Sequence, residues 1–161
     1  MSRPPVVLAV CLGNICRSPT AEAALREAAE AAGMEVTIRS AGTGGWHVGH
    51  PPDERMRRAA AEDGLHLSGT ADRVTPTELA EADLVLAMDR SNLADLQELA
   101  RQAGVDARIH LYREFDPEAG DGDLDVPDPY YGGPDGFAEV VDMVRRTAPE
   151  VLARLRAGTA P

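Results

Sequence analysis

Positive charge is scarce in this sequence: 16 Lys and Arg stand against 27 Asp and Glu, a net charge of −11. An acidic surface repels nucleic acid and anionic membrane, so neither is expected as a partner. Any anion site must be local, built from backbone N–H groups and one or two placed cations. Cysteine is scarce too. Cys11 and Cys16 are the only two and lie close together, which excludes a disulfide framework and a Cys-rich zinc site. No apolar run approaches the length of a membrane-spanning helix. The run Val6–Val10 is too short for a signal-peptide core, and no cleavage-like site follows it. The expected location is the cytoplasm, with export that uses no signal peptide left open. Repeats and low-complexity segments are absent as well.

What is present is an alternation. At 161 residues the chain has the size of one domain, expected to span 1–161 with residues 157–161 as a loose tail. Val6–Val10, Glu35–Arg39, Leu84–Met88 and Arg108–Tyr112 read as strands. Pro19–Ala32 reads as a helix stopped by Gly33, and Asp53–Asp63 as one stopped by Gly64. Ser91–Ala103 reads as a third, with Ser91 as N-cap and Gly104 as stop, and Pro134–Arg156 as a fourth, divided or kinked at Pro149. Alternating strands and helices predict an α/β fold with a parallel sheet. Right-handed crossovers then place the strand-to-helix loops on one rim, bringing together residues 11–18, 40–52, 89–91 and 113–134.

The first of those loops is Cys11-Leu12-Gly13-Asn14-Ile15-Cys16-Arg17-Ser18-Pro19. A loop between a strand and a helix N-terminus is an anion cradle, because its N–H groups and the helix dipole favour negative charge. Gly13 permits close approach of the backbone, Asn14 tolerates the left-handed conformation, and Ser18 and Pro19 suit a helix start. The donors that hold a phosphate also stabilise a thiolate, so Cys11 is expected to have a depressed pKa. Arg17, six residues on, can grip two oxygens of the same anion. Nucleophile, donors and bidentate cation together make a device for phosphoryl transfer to sulfur. A bare Cys-x5-Arg spacing would be weak evidence; its strand–loop–helix setting is what gives it weight.

The stretch Val10–Glu22 resembles the signature of the low-molecular-weight protein-tyrosine phosphatases. Ser40-Ala41-Gly42-Thr43, Asp53-Glu54-Arg55, Met88-Asp89-Arg90-Ser91-Asn92 and Asp128-Pro129-Tyr130-Tyr131-Gly132 continue the resemblance in family order. It implies a single-domain α/β fold with a four-stranded parallel sheet flanked by helices on both faces, the phosphate-binding loop after the first strand, and no metal or other cofactor. It also implies hydrolysis of phosphotyrosine in a protein partner through a phosphocysteine on Cys11, with phosphate, sulfate or vanadate as active-site anions.

A leaving alkoxide or phenoxide needs a proton. Asp128, held out of a helix by Pro127 and Pro129, is one of several aspartates in its loop, and the resemblance selects it as acid and then base. By resemblance Ser18 hydrogen-bonds the sulfur as well as serving as a helix cap, and Asn14 and Ser40 hold the loop closed. Gly69 stands where the family often has a His. Trp46 and Tyr131 resemble the walls of an aryl slot, and Tyr130 reads equally as wall or packing. Cys16 reads equally as a redox partner for Cys11 or as a small buried residue under the loop. His47 and His50 share a loop, but nothing nearby completes a metal set, and a solvated loop is the expectation. Asp53, Arg55 and Asp89 read as structural ion pairs. The competing functions are an arsenate reductase of the same fold, which needs cysteines this chain lacks, a protein-arginine phosphatase, which typically carries Thr in place of Ile15, and a non-catalytic phosphate-binding module, which would not need Cys11, Arg17 and Asp128 together.

Overall fold

A computed structural model describes residues 3–120, 122–130 and 134–158. Four parallel strands form one sheet in the order β2-β1-β3-β4: β1 Val6–Cys11, β2 Thr37–Gly42, β3 Leu84–Ala87 and β4 Ile109–Leu111. Central β1 is apolar at every position because both of its faces are covered. Val7, Ala9 and Cys11 pack on one side with α1 (Arg17–Ala32), α2 (Glu54–Glu62) and α5 (Pro134–Arg156). Leu8 and Val10 pack on the other with α3 (Pro76–Glu81) and α4 (Arg90–Ala103). The α/β fold with helices on both faces is therefore the one expected. Among the described residues no helix is long and apolar enough to cross a membrane.

The register fixes the rim. Cys11 at the end of β1 lies opposite Gly42 at the end of β2, and Val10 lies opposite Ala87 at the end of β3. The connection after β4 returns to the same rim, where the Val126 N–H donates to Met88 O at 2.7 Å.

Local boundaries depart from the sequence reading in instructive ways. Helix α1 starts at Arg17 behind Cys16, so Ser18 is inside its first turn and not its cap. Pro19 is still tolerated, because the first four N–H groups of a helix need no intrahelical partner. Asp89, not Ser91, caps α4, its Oδ1 accepting from the Asn92 N–H at 2.8 Å. Helix α3 was not expected, although Thr75 and Glu78 form a capping box before it. Helix α5 runs through Pro149 as one helix. Gly33 and Gly104 end α1 and α4 in the left-handed conformation, as expected. Of the expected loose tail, residues 159–161 lie outside the described residues.

Candidate active site

The rim holds a pocket of about 310 Å³. Cys11 through Gly13 and Ile15 through Arg17 line it from the first loop, Trp46 and His47 from the second, and Asp128 and Tyr130 from the connection after β4. Residues more than a hundred positions apart in sequence thus meet at one opening. Tyr131 lies outside the described residues.

Cys11 forms the end of a buried strand, and its sulfur is met from two directions. The Asn14 N–H donates to Sγ at 3.3 Å, and Ser18 Oγ lies 3.0 Å from it. Asn14 reaches this position with φ of 57°, the left-handed conformation that an asparagine accepts at low cost. Its side chain then ties the loop down. Nδ2 donates to Ser18 Oγ at 2.8 Å and to Ser40 Oγ at 3.0 Å, while Oδ1 accepts from the Asp72 N–H at 2.9 Å. Gly69 sits nearby with φ of 87°, so a side chain at that position would be strained, and Asn14 is held without one. The Asp53 N–H adds a further tie, donating to Ile15 O at 2.8 Å.

Arg17 is buried, its side chain 3% exposed. Nη1 donates to Asp89 Oδ2 at 2.6 Å and to Val126 O at 3.1 Å, and Nη2 is 3.6 Å from Asp128 Oδ2. Burial works against its charge, but the sulfur of Cys11, the hydrogen bond to Asp89 and the carboxylate of Asp128 outweigh it and raise the guanidinium pKa further. Asp128 is 35% exposed and its Oδ1 accepts from the Tyr130 N–H at 3.0 Å, an Asx turn that points the second oxygen into the pocket.

Cys16 is buried beside this group. Burial, with the negative charges of Asp53, Cys11 and Asp128, pushes its pKa up, against a smaller opposing pull from Arg55. It stays a protonated thiol at neutral pH and does not compete as a nucleophile. Asp53 and Arg55 pair at 3.0 Å, and the Arg55 guanidinium also lies over the rings of Tyr130, at 5.1 Å, and Phe137, at 4.8 Å. Tyr130 is thereby both pocket wall and packing partner.

Trp46 is 72% exposed at the mouth. Its ring folds back over Gly44, where a Cβ would come within 1.9 Å of Cζ3, which explains the glycine. His47 was expected in a solvated loop. It lies in such a loop and also lines the pocket, with Cδ2 2.9 Å from where a Cβ on Gly13 would stand. Glu22 was also missed: its Oε1 accepts from Ser40 Oγ at 2.7 Å, behind the loop. Asp89 makes the structural ion pair expected of it, and its partner is Arg17.

The chain matches the family model described as low molecular weight phosphotyrosine protein phosphatase over residues 6–160. A low molecular weight protein-tyrosine-phosphatase of Streptomyces coelicolor is 45% identical over 149 residues, covering 91% of each chain. The crystal structure of a protein tyrosine phosphatase from Entamoeba histolytica superposes with a TM-score of 0.89 at 30% identity, covering 97% of this chain and 99% of that one. A drosophila arginine phosphatase superposes with a TM-score of 0.86 at 27% identity, covering 93% and 97%.

Proposed function

The chain belongs to the low molecular weight phosphotyrosine protein phosphatase family, and we propose that it hydrolyses phosphotyrosine in protein substrates through Cys11, Arg17 and Asp128. The observation that carries this is the meeting of three groups at one pocket: a sulfur held by an N–H and a hydroxyl, a buried guanidinium, and a carboxyl at the mouth.

In the first half-reaction the loop N–H groups and the Arg17 fork hold the non-bridging oxygens of the phosphate monoester. Cys11 Sγ attacks phosphorus, an S–P bond forms, and the P–O bond to the phenol breaks as Asp128 delivers its proton to the departing oxygen. In the second, the Asp128 carboxylate takes a proton from water as that water attacks phosphorus. The S–P bond breaks and Cys11 leaves as a thiolate, stabilised by the Ser18 hydroxyl and the Asn14 N–H. Leu12, Gly13, Ile15 and Cys16 complete the cradle, and Trp46 and Tyr130 wall a slot for the aromatic ring. Phosphate, sulfate and vanadate are the anions this cradle suits.

The lining favours this reading over a phosphoarginine substrate. Ile15, which lines the pocket, is apolar and itself offers a guanidinium no hydrogen-bond acceptor. A phenyl ring needs no such acceptor.

Cys11→Ser should abolish hydrolysis of an aryl phosphate while phosphate binding stays measurable. Asp128→Asn should slow hydrolysis strongly for poor leaving groups and much less for very good ones. Near-normal turnover by Cys11→Ser would remove the covalent route, and an equal loss for all leaving groups would reduce Asp128 to shaping its loop.

A further inference from the structure

Donor and acceptor accounting around Asn14 leads to a residue outside the pocket. Asn14 Oδ1 accepts from a backbone N–H, that of Asp72, which can only donate. The carboxamide therefore has a fixed orientation, and both Nδ2 protons go to hydroxyls, one on Ser18 and one on Ser40. Each hydroxyl is then an acceptor toward Asn14 with one proton left to give. Ser40 gives its proton to Glu22 Oε1 at 2.7 Å. Ser18 has two choices, Cys11 Sγ at 3.0 Å and Ala41 O at 3.4 Å. When the sulfur is a thiolate it can only accept, and the Ser18 proton goes to it.

Resting on the phosphatase reading above, we propose that Glu22 is a positioning residue for catalysis: it takes the Ser40 proton and so holds Ser40 as an acceptor that anchors Asn14, which supports the Cys11 sulfur through its own N–H and through Ser18. A carboxylate is acceptor-only, so it pins the Ser40 hydroxyl with its lone pairs toward Asn14 and strengthens that bond by polarising the O–H. The anchor matters because the Asn14 N–H itself donates to the sulfur, so the placement of Asn14 sets that bond.

Glu22 is placed for this task. It lies one helical turn after Ser18 on α1, so the two side chains share a face that meets β2 at Ser40. Its second oxygen, Oε2, is 2.6 Å from Arg26 Nη2, which also donates to Ile38 O on β2 at 2.9 Å. The carboxylate is thus held by its own helix and, through Arg26, by the strand that carries Ser40. Its side chain is 17% exposed, toward a cavity of about 200 Å³ behind the loop that Asn14, Ser40 and Gly69 also line. That opening lets a small carboxylate reach the position once the side chain is shortened.

Glu22→Ala should lower kcat on an aryl phosphate by roughly tenfold, the size of one lost hydrogen bond, and leave KM within about a factor of two. The effect falls on kcat because the sulfur is the leaving group of the second half-reaction. Alkylation of Cys11 by iodoacetamide should slow in parallel, since the sulfur loses part of its hydrogen-bond support. Glu22→Gln, which keeps one acceptor oxygen for Ser40, should recover most of both rates. Sodium formate should raise turnover and alkylation of Glu22→Ala and not of the wild type. Normal kcat and alkylation in Glu22→Ala would overturn the proposal. So would a loss that neither glutamine nor formate repairs, because that marks damage to the fold. A wild-type protein inactive on all aryl phosphates would end the phosphatase reading, while the alkylation rates would still decide the part played by Glu22.

Discussion

Arg17 shows what a single residue owes to its neighbours. Its terminal nitrogen Nη1 is committed to Asp89 and the Val126 carbonyl, which orients the planar group so that the edge formed by Nη2 and Nε is left to grip an anion, with Nη2 near Asp128 at the pocket. A lysine has one nitrogen and no plane, so it cannot serve the anchors and an anion together. Arg17→Lys should therefore lower kcat/KM by about 2–4 kcal/mol of transition-state stabilisation, as loss of an oxyanion donor does. Activity near wild type would contradict the bidentate role. The sequence made Cys11, Arg17 and the left-handed Asn14 legible, because all three lie in one short loop whose chemistry follows from its order. It could not show that Asp89 and Val126 hold Arg17. Those contacts span 72 and 109 positions and exist only because β3 pairs beside β1. His47 left no signal either, since side chains in an irregular loop follow no period. Glu22 does sit at the end of the Val10–Glu22 stretch, but its contact with Ser40 depends on β2 bringing Ser40 to the face of α1.

Among the elements, strands and long helices were legible because burial on both faces and the terminal glycines write themselves into composition. Caps were less so. Asp89 and Ser91 are both good N-caps, and the choice fell to Asp89, which both caps α4 and holds Arg17. The long connection from β4 to α5 carries Asp128; its return to the rim was legible in sequence, but what pins it was not. It is pinned at Asp116, whose fully buried side chain meets Arg113 at 2.9 Å and Arg146 of α5 at 2.9 Å. Burial pulls that carboxyl up, but hydrogen bonds from Arg146, the Glu118 N–H and Arg113 outweigh it and hold its pKa at about 2, against an ordinary 3.8. A depressed carboxyl stabilises the fold fully above its unfolded pKa and loses that contribution as pH falls through the folded one. The linked contribution is about 2 kcal/mol. Asp116→Asn should thus melt well below wild type at neutral pH, and the gap should close as pH falls from about 4 toward 2. A gap in melting temperature that stays constant over that range would mean the ion pairs stabilise nothing.

At the scale of the whole molecule the charge of −11 opposes the site it surrounds. All of the Lys and Arg positions are arginine, and one of them, Arg17, is buried in the cradle, so on the proposed reading the cradle attracts phosphate at short range while the surface repels anions at long range. The two ranges separate with salt. Screening acts over about 10 Å at 0.1 M ionic strength, which removes the surface field but leaves a buried guanidinium largely untouched. Two phosphotyrosine peptides that differ only in arginine or glutamate flanks therefore measure the field alone, because the phosphoaryl group is common to both. At low salt the arginine-flanked peptide should have the higher kcat/KM, by about tenfold. The ratio should fall toward one as sodium chloride rises, through loss for the basic peptide and gain for the acidic one. Chloride competing for the cradle would slow both peptides alike and cancel in the ratio. A ratio independent of salt would mean that the peptide flanks are read by contact with neighbouring side chains and that the acidic surface plays no part in choosing the substrate.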